Sequence, residues 1–321
     1  MSRELAPLDS DPDPVPLPAV VSTNDLVAAF LDGRKPSTVA GYRKDLADFS
    51  RWRRPCAPSV PAVLAELLAL EPGPANLAVL LYRNAMLARN LASATIARRL
   101  AALRSFTKLS RTLGRISWSI EVEAPRAEPR RDVSGPSPAE LRKFVKAGKR
   151  GDCPRDKRDR AVVALLLGLG LRRAEVVGVD REDLDFKTSK IQVLGKGKRE
   201  KLALEMPPEV ADRLGQWALA RGDAPGPLFT RLDRPGSLDR LTGEAVRRLV
   251  RRLGVAAGVE KPVRPHGLRH SAITGLLESG ESHRDVLAFS RHKKMETLMR
   301  YDDTLKKKGG SLAAKAAKAL R

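Results

Sequence analysis

The chain is short of the residues that staple, stack or span. It has two cysteines, Cys56 and Cys153, in 321 residues, too few for a disulfide framework or a zinc cluster. Aromatic residues make up 4%, which argues against binding single strands on stacking platforms. No apolar run reaches the roughly 20 residues that cross a bilayer, and the acidic, proline-rich start is unlike a secretory leader. These absences exclude a disulfide-rich secreted fold and a membrane-spanning one, leaving a soluble cytoplasmic protein as the expectation. No DxD-type carboxylate cluster offers a two-metal site, so neither a metal nor a cofactor is expected. Histidine and tyrosine are scarce, four and three in all.

What is abundant is positive charge. Sixty Lys and Arg against 38 Asp and Glu give a formal net charge of +22 and a sequence pI near 10.5. That excess predicts a polyanionic partner, nucleic acid ahead of an anionic membrane surface. The charge runs along the whole chain, which suits many phosphate contacts on a duplex. A hydrophobic fraction of 42% supplies real cores, and the length suits two domains.

Punctuation in the sequence divides the chain. Residues 1–21, acidic and proline-rich, read as a disordered tail. Residues 22–117 read as five helices, the first capped by Thr23-Asn24, the third closed by Pro72-Gly73-Pro74 and the last capped by Ser93. In that last helix Ile96, Leu100, Leu103 and Phe106 form an apolar stripe. Arg104, Lys108 and Arg111 share another face, read as facing a nucleic acid. Residues 118–136 read as a linker. Ser137-Pro138-Ala139-Glu140 is a capping box that opens a second domain over 137–305. Its elements read as helices around a small antiparallel sheet, DLDF, KIQVL and KLALEM, the last two joined by a Gly195-Lys196-Gly197-Lys198 turn. A helix at about 242–253 puts Val246, Leu249, Val250 and Leu253 on one face and Arg247, Arg248 and Arg251 elsewhere. Residues 306–321 are a basic tail, either frayed or docked on a neighbouring protomer. The fold class is mainly α with a small antiparallel sheet.

Three of the four histidines and one tyrosine fall among cations in a single short region. His266, Arg269 and His270 share a helix, His292 follows Arg269 by 23 residues, and Tyr301 follows His292 by nine. A phenol is a good phosphoryl acceptor. Phosphodiester cleavage by a protein nucleophile must remove a proton, clamp the non-bridging oxygens, protonate the leaving oxygen and align the attack. Histidine, arginine and lysine can do these without a metal. Taken singly, Arg172 reads as a salt-bridge residue, the GKGK turn as a basic loop and Tyr301 as a core tyrosine.

Together, Gly-Leu-Arg-Arg-Ala-Glu (170–175), Gly-Lys-Gly-Lys (195–198), His-Gly-Leu-Arg-His (266–270) and His292 with Tyr301 resemble, in order and spacing, the tyrosine recombinases. The resemblance covers about residues 22–305 and implies a C-shaped DNA clamp made of a helical, SAM-like core-binding domain and a catalytic domain, with the helix at about 242–253, which carries Arg247, Arg248 and Arg251, approaching the major groove. It implies that Arg172 and Arg269 clamp the scissile phosphate. Lys196 would protonate the 5′-oxygen, though Lys198 and Lys201 lie in the same stretch. His266 would serve as acid and base, His292 would orient the phosphate, and Tyr301 would form a 3′-phosphotyrosyl link. Glu175 would support Arg172, and His270 is a further supporting candidate. The implied partners are double-stranded DNA carrying inverted repeats and further copies of the chain, four on DNA, associated with the nucleoid. A type IB-like topoisomerase, or a non-catalytic DNA-binding protein on the same scaffold, are the rival readings. One departure stands out. Arg291 precedes His292 where the family usually has glycine.

Overall fold

The computed structural model describes residues 22–56, 59–126, 135–148, 151–195, 197–234, 236–292, 294–299 and 301. The tail 1–21, residues 127–134 of the expected linker, Lys196 and the tail 306–321 lie outside the described residues. The chain divides into two compact units, Met1–Arg130 and Arg131–Arg321.

Caps and prolines set the helix starts of the first unit: α1 (Thr23–Leu31), α2 (Pro36–Arg53), α3 (Val60–Leu68), α4 (Pro72–Ala88) and α5 (Ser93–Thr112). Ser22, rather than Thr23-Asn24, caps α1. Its hydroxyl accepts the Asp25 amide at 3.2 Å and the Asp25 carboxylate accepts the Ser22 amide at 3.0 Å. Pro72-Gly73-Pro74, expected to close the third helix, instead begins the fourth. First-turn amides have no partner within a helix, so proline loses nothing there. Ser93 likewise lies inside α5, behind Ala92 as N-cap.

The apolar stripe of α5 is buried as its spacing requires, against Phe30, Phe49, Leu64 and Tyr82. Each such side chain contributes about 1.5–3 kcal/mol. A charged knot sits among them. The Asp48 carboxylate accepts from the Tyr82 hydroxyl at 2.8 Å and from Arg99 Nη1 at 2.5 Å. Burial raises the Asp48 pKa, but Tyr82, Arg89 and Arg99 outweigh it and hold the carboxyl below its ordinary value. Trp118 and Ile120, read as the start of a linker, are buried in this core. After α5 the chain is tied to α4 by Asn76, which donates to the Ser119 carbonyl at 3.0 Å and accepts the Glu121 amide at 2.8 Å.

The second unit runs α6 (Pro138–Gly148), α7 (Pro154–Gly168), α8 (Arg173–Val177), β1 (Leu184–Asp185), β2 (Lys190–Leu194), β3 (Lys201–Glu205), α9 (Pro208–Arg221), α10 (Gly243–Ala256), α11 (Pro265–Glu278), α12 (His283–Ser290) and α13 (Met295–Met299). The expected capping box opens α6, with the Glu140 carboxylate accepting the Ser137 amide at 2.8 Å. The strands pair antiparallel in the order β1-β2-β3, Ile191 opposite Leu184 and Leu204. Burial alternates along β2, with Ile191 and Val193 inward. The first strand is shorter than DLDF because the Asp185 carboxylate accepts the Lys187 and Thr188 amides and bends the chain.

Helix α7 is buried from Ala161 to Leu166 and forms the axis of the larger core, with α9 and α11 packed on it. Its C-terminal end and the turn into α8 lie against the C-terminal end of α12. A smaller cluster, Ile273, Leu277, Val286, Leu298 and Tyr301, joins α11, α12 and α13. These two packings bring Arg172, Arg269, His292 and Tyr301 to one place.

Candidate active site

Arg269 stands at the centre, 1% exposed. The α11 backbone aims it at two carbonyls, and its Nη1 donates to Gly170 and its Nη2 to Ser290. Burial, then the charges of Arg172 and Arg291, pull its pKa down to about 10, so it stays charged at neutral pH. Arg172 is the N-cap of α8 and is held by Glu175. One carboxylate oxygen accepts Arg172 Nη1 at 2.7 Å and the other its backbone amide at 2.9 Å. Burial raises the Glu175 pKa, yet the Arg172 hydrogen bonds and the Arg291 and Arg172 charges keep the carboxyl below its usual value. Glu175 is therefore an anion that fixes a cation.

His292 is placed by its neighbours. Arg269 Nη2 lies 3.3 Å from His292 Nε2, and Ser290 Oγ lies 3.1 Å from Nδ1. A guanidinium can only donate, so Nε2 is the acceptor and Nδ1 carries the proton. Ser290 Oγ donates to the Leu287 carbonyl at 3.2 Å and keeps lone pairs for Nδ1. Burial, then the charges of Arg269 and Arg172, push the His292 pKa down to about 4.

Tyr301 is 8% exposed and ringed by imidazoles. His292 stacks on it with centroids 5.2 Å apart, and His270 lies at 4.8 Å. Its hydroxyl is 3.4 Å from His266 Nε2. The Thr274 hydroxyl donates to the Tyr301 carbonyl at 3.3 Å and sits 3.2 Å from His270 Nδ1. His270 is buried and His266 exposed. The helical spacing thus gives one histidine to the phenol's oxygen and the next to its ring.

A profile of the phage integrase family matches residues 137–308. The chain is 37% identical to a tyrosine recombinase of Synechococcus elongatus over 294 residues, 90% of this chain and 91% of the relative. The chain belongs to the phage integrase family of tyrosine recombinases. A tyrosine recombinase of Synechocystis is 38% identical, over 88% of this chain and 91% of its own. The tyrosine recombinase XerC of Corynebacterium efficiens is 32% identical, over 84% of this chain and 81% of its own. The fold matches that of lambda integrase bound to a core site, with a TM-score of 0.64 at 15% identity over 87% of this chain and 95% of that one. It also matches the Tn1549 transposon integrase in complex with circular intermediate DNA, with a TM-score of 0.64 at 16% identity over 88% and 95%.

Against this family pattern the remaining candidates divide. Arg172, Glu175, His266, Arg269, His270, His292 and Tyr301 converge. Lys196 lies outside the described residues. Of the other lysines named with it, Lys201 is held by carboxylates. Its Nζ donates to Asp183 at 2.6 and 2.8 Å, and that bond raises its pKa. Lys198 is exposed and, with Arg172, Lys201 and Arg291, lines a cleft of about 450 Å³ between α8 and the β2-β3 hairpin. Among the described residues no group of three or more His, Cys, Asp or Glu is placed to hold a metal ion, and no helix is long and apolar enough to cross a membrane.

The arginines read as facing nucleic acid are differently disposed. Arg104 Nη2 donates to the Val122 carbonyl at 2.5 Å and Arg111 Nη1 to Ser119 Oγ at 2.8 Å, so both bind the segment after α5. Lys108 between them is exposed. On α10, Arg247, Arg248 and Arg251 are all exposed, and Arg247 pairs with Glu244 at 2.5 Å.

The sequence did not expose what Arg291 does. It is the C-cap of α12 in the left-handed region, φ +53, a conformation that costs a residue with a Cβ about 1–2 kcal/mol. Its side chain is 15% exposed and turns inward. Burial lowers its pKa against the pull of Glu175, and the Arg172 charge adds to the lowering. The Nε atoms of Arg269 and Arg291 are both buried without an acceptor among the described residues.

Proposed function

We propose that this chain is a site-specific recombinase that breaks and rejoins duplex DNA through Tyr301. The observation that carries the reading is the Tyr301 hydroxyl at 3.4 Å from His266 Nε2, beside the Arg172, Arg269 and His292 cluster. The phenol oxygen attacks phosphorus and its proton passes to His266. A phosphotyrosyl bond to the DNA 3′-phosphate forms as the bond to the 5′-oxygen breaks. The departing 5′-oxygen takes a proton from a lysine, assigned to Lys196. Arg172 and Arg269 hold the non-bridging oxygens as charge builds on them, and His292 orients the phosphate. The phosphotyrosyl bond conserves the energy of the cleaved one. A 5′-hydroxyl from the same or another duplex can then re-attack without a nucleotide cofactor or a metal.

Exchange between two duplexes needs one nucleophile for each strand cut, which supports four protomers on a pair of inverted-repeat sites. Lambda integrase, with which this chain shares a fold at a TM-score of 0.65, was solved as a tetramer bound to a Holliday junction. Lys108, Arg248 and Arg251 are assigned to duplex phosphates, in the cytoplasm on the nucleoid. The test is to trap covalent protein–DNA adducts on DNA flanking the gene and map the linked phosphate. Adducts through Tyr301 that vanish in Tyr301→Phe while DNA binding persists are expected. Adducts that survive the substitution would overturn the reading.

A further inference from the structure

The C-cap of α12 is a position for glycine, yet it holds an arginine whose two Nη groups are both bonded to the protein. Arg291 Nη1 donates to the carbonyls of Phe289 at 2.9 Å and Leu169 at 3.2 Å. Its Nη2 donates to the Gly170 carbonyl at 3.1 Å and to Glu175 Oε2 at 3.3 Å. Two of those acceptors are shared. The Gly170 carbonyl also receives Arg269 Nη1, and Glu175 also receives Arg172. Phe289 completes the grip from the other side. Gly170 has φ +54, and a Cβ built on it would meet the Phe289 ring at 2.8 Å. One turn of chain, Leu169–Gly170, is thus held between an aromatic ring and a planar fork that both come from the end of α12.

We infer that Arg291 is a positioning residue, a clasp that bolts the corner bearing His292 to the turn bearing Arg172. Its fork reaches the very acceptors that orient the two clamp arginines, so Arg172, Arg269 and His292 keep one mutual geometry before DNA arrives. Glycine at this position would leave the turn free of strain but would not join the two segments. A lysine would bring a charge but no planar fork able to reach four oxygens at once. With Arg172 and Arg269, Arg291 places three guanidiniums around the single carboxylate of Glu175. A dianionic, five-coordinate phosphorus is the species such a surplus favours.

The inference rests on the proposed cleavage reaction. Its test compares the parent chain with Arg291→Gly and Arg291→Lys on a nicked duplex carrying the mapped site. Three quantities are read for each: melting temperature, DNA affinity and the single-turnover rate of the Tyr301 adduct. Glycine adopts the cap's backbone without strain, so a loss in that variant belongs to the side chain. Both variants are expected to melt close to the parent and to bind DNA within about threefold. Both should form the adduct about 10- to 100-fold more slowly, the scale on which misplaced catalytic groups lose rate. Lysine should do no better than glycine. Unchanged rates in the glycine variant would overturn the clasp while leaving the cleavage reading intact. So would rescue by lysine, which would make charge alone the agent. So too would an affinity loss equal to the rate loss, which would make Arg291 a DNA contact. Should the glycine variant fail to fold, the lysine variant decides on rate against affinity. A parent chain that makes no adduct on any site sinks the cleavage reading, and the clasp with it.

Discussion

Arg269 Nη2 stands 3.3 Å from His292 Nε2, so the arginine's donor fixes the tautomer of the histidine. His292 is consequently held neutral by burial and by the surrounding cations, with a pKa of about 4 against an ordinary 6.5. The unfolded chain takes up a proton near pH 6.5 while the folded one refuses it until about pH 4. Within that window the unfolded state binds more protons, so stability falls as the pH is lowered through it. Imidazole NMR of the DNA-free protein should show His292 titrating well below its ordinary 6.5. A His292 midpoint at 6 or above would contradict this account.

His266 is the group within reach of the Tyr301 hydroxyl, and general base catalysis contributes typically 10²–10⁴-fold. His266→Ala should form the covalent adduct slower by about that factor with DNA affinity nearly intact. His270→Ala should cost less in rate, because its ring faces the tyrosine ring rather than the hydroxyl. Single-turnover cleavage of a nicked duplex ranks the two, and the reverse ranking would transfer the base to His270.

Phosphate contacts release counterions, and each one removed lowers the slope of log affinity against log salt by about one. Alanine at Lys108, Arg248 or Arg251 should each lower that slope and weaken binding to all sequences alike. Alanine at Arg104 or Arg111 should instead lower thermal stability, since both are bonded to the segment after α5. Filter-binding series at several salt concentrations, paired with melts, separate the two classes.

The knot under α2 and α5 predicts a stability effect remote from the chemistry. Asp48→Ala strips the buried Arg99 and the Tyr82 hydroxyl of their acceptor, and breaking a buried pair in this way costs about 3–5 kcal/mol. Denaturant titration should show a lower midpoint with an unchanged slope, and a loss below about 1 kcal/mol would mean that water replaces the carboxylate.

Gly170 carries a second such effect inside the site. Gly170→Ala asks a Cβ to occupy a left-handed backbone against the Phe289 ring, costing about 1–2 kcal/mol from the backbone alone. Because that turn also orients Arg269, cleavage should slow beyond what the melting temperature explains. A rate equal to the parent's would show that the turn relaxes freely.

Much of this was legible in the chain. Residues three and four apart on a helix share a face, so the HGLRH string delivered His266, Arg269 and His270 together. The alternation of KIQVL and the glycines after it gave a hairpin, and the Ser137 box gave the start of α6. What was not legible has one cause. Local pattern cannot say which tertiary neighbour claims a side chain. Arg104 and Arg111 have the spacing of a nucleic-acid face, and only the fold shows that each also bonds an oxygen of the following segment. Trp118 and Ile120 sit among linker-like residues but alternate into a core. Lys201 lies in the same stretch as the favoured Lys196, and only the fold shows Asp183 and Asp180 beside it. Arg291 broke the family pattern visibly, but only the fold shows that its fork turns inward.

The two buried Nε–H groups of Arg269 and Arg291 have a thermodynamic consequence. Each such donor, with no acceptor among the described residues, costs the protein about 1–3 kcal/mol of desolvation. The DNA-free protein is therefore less stable than its packing allows.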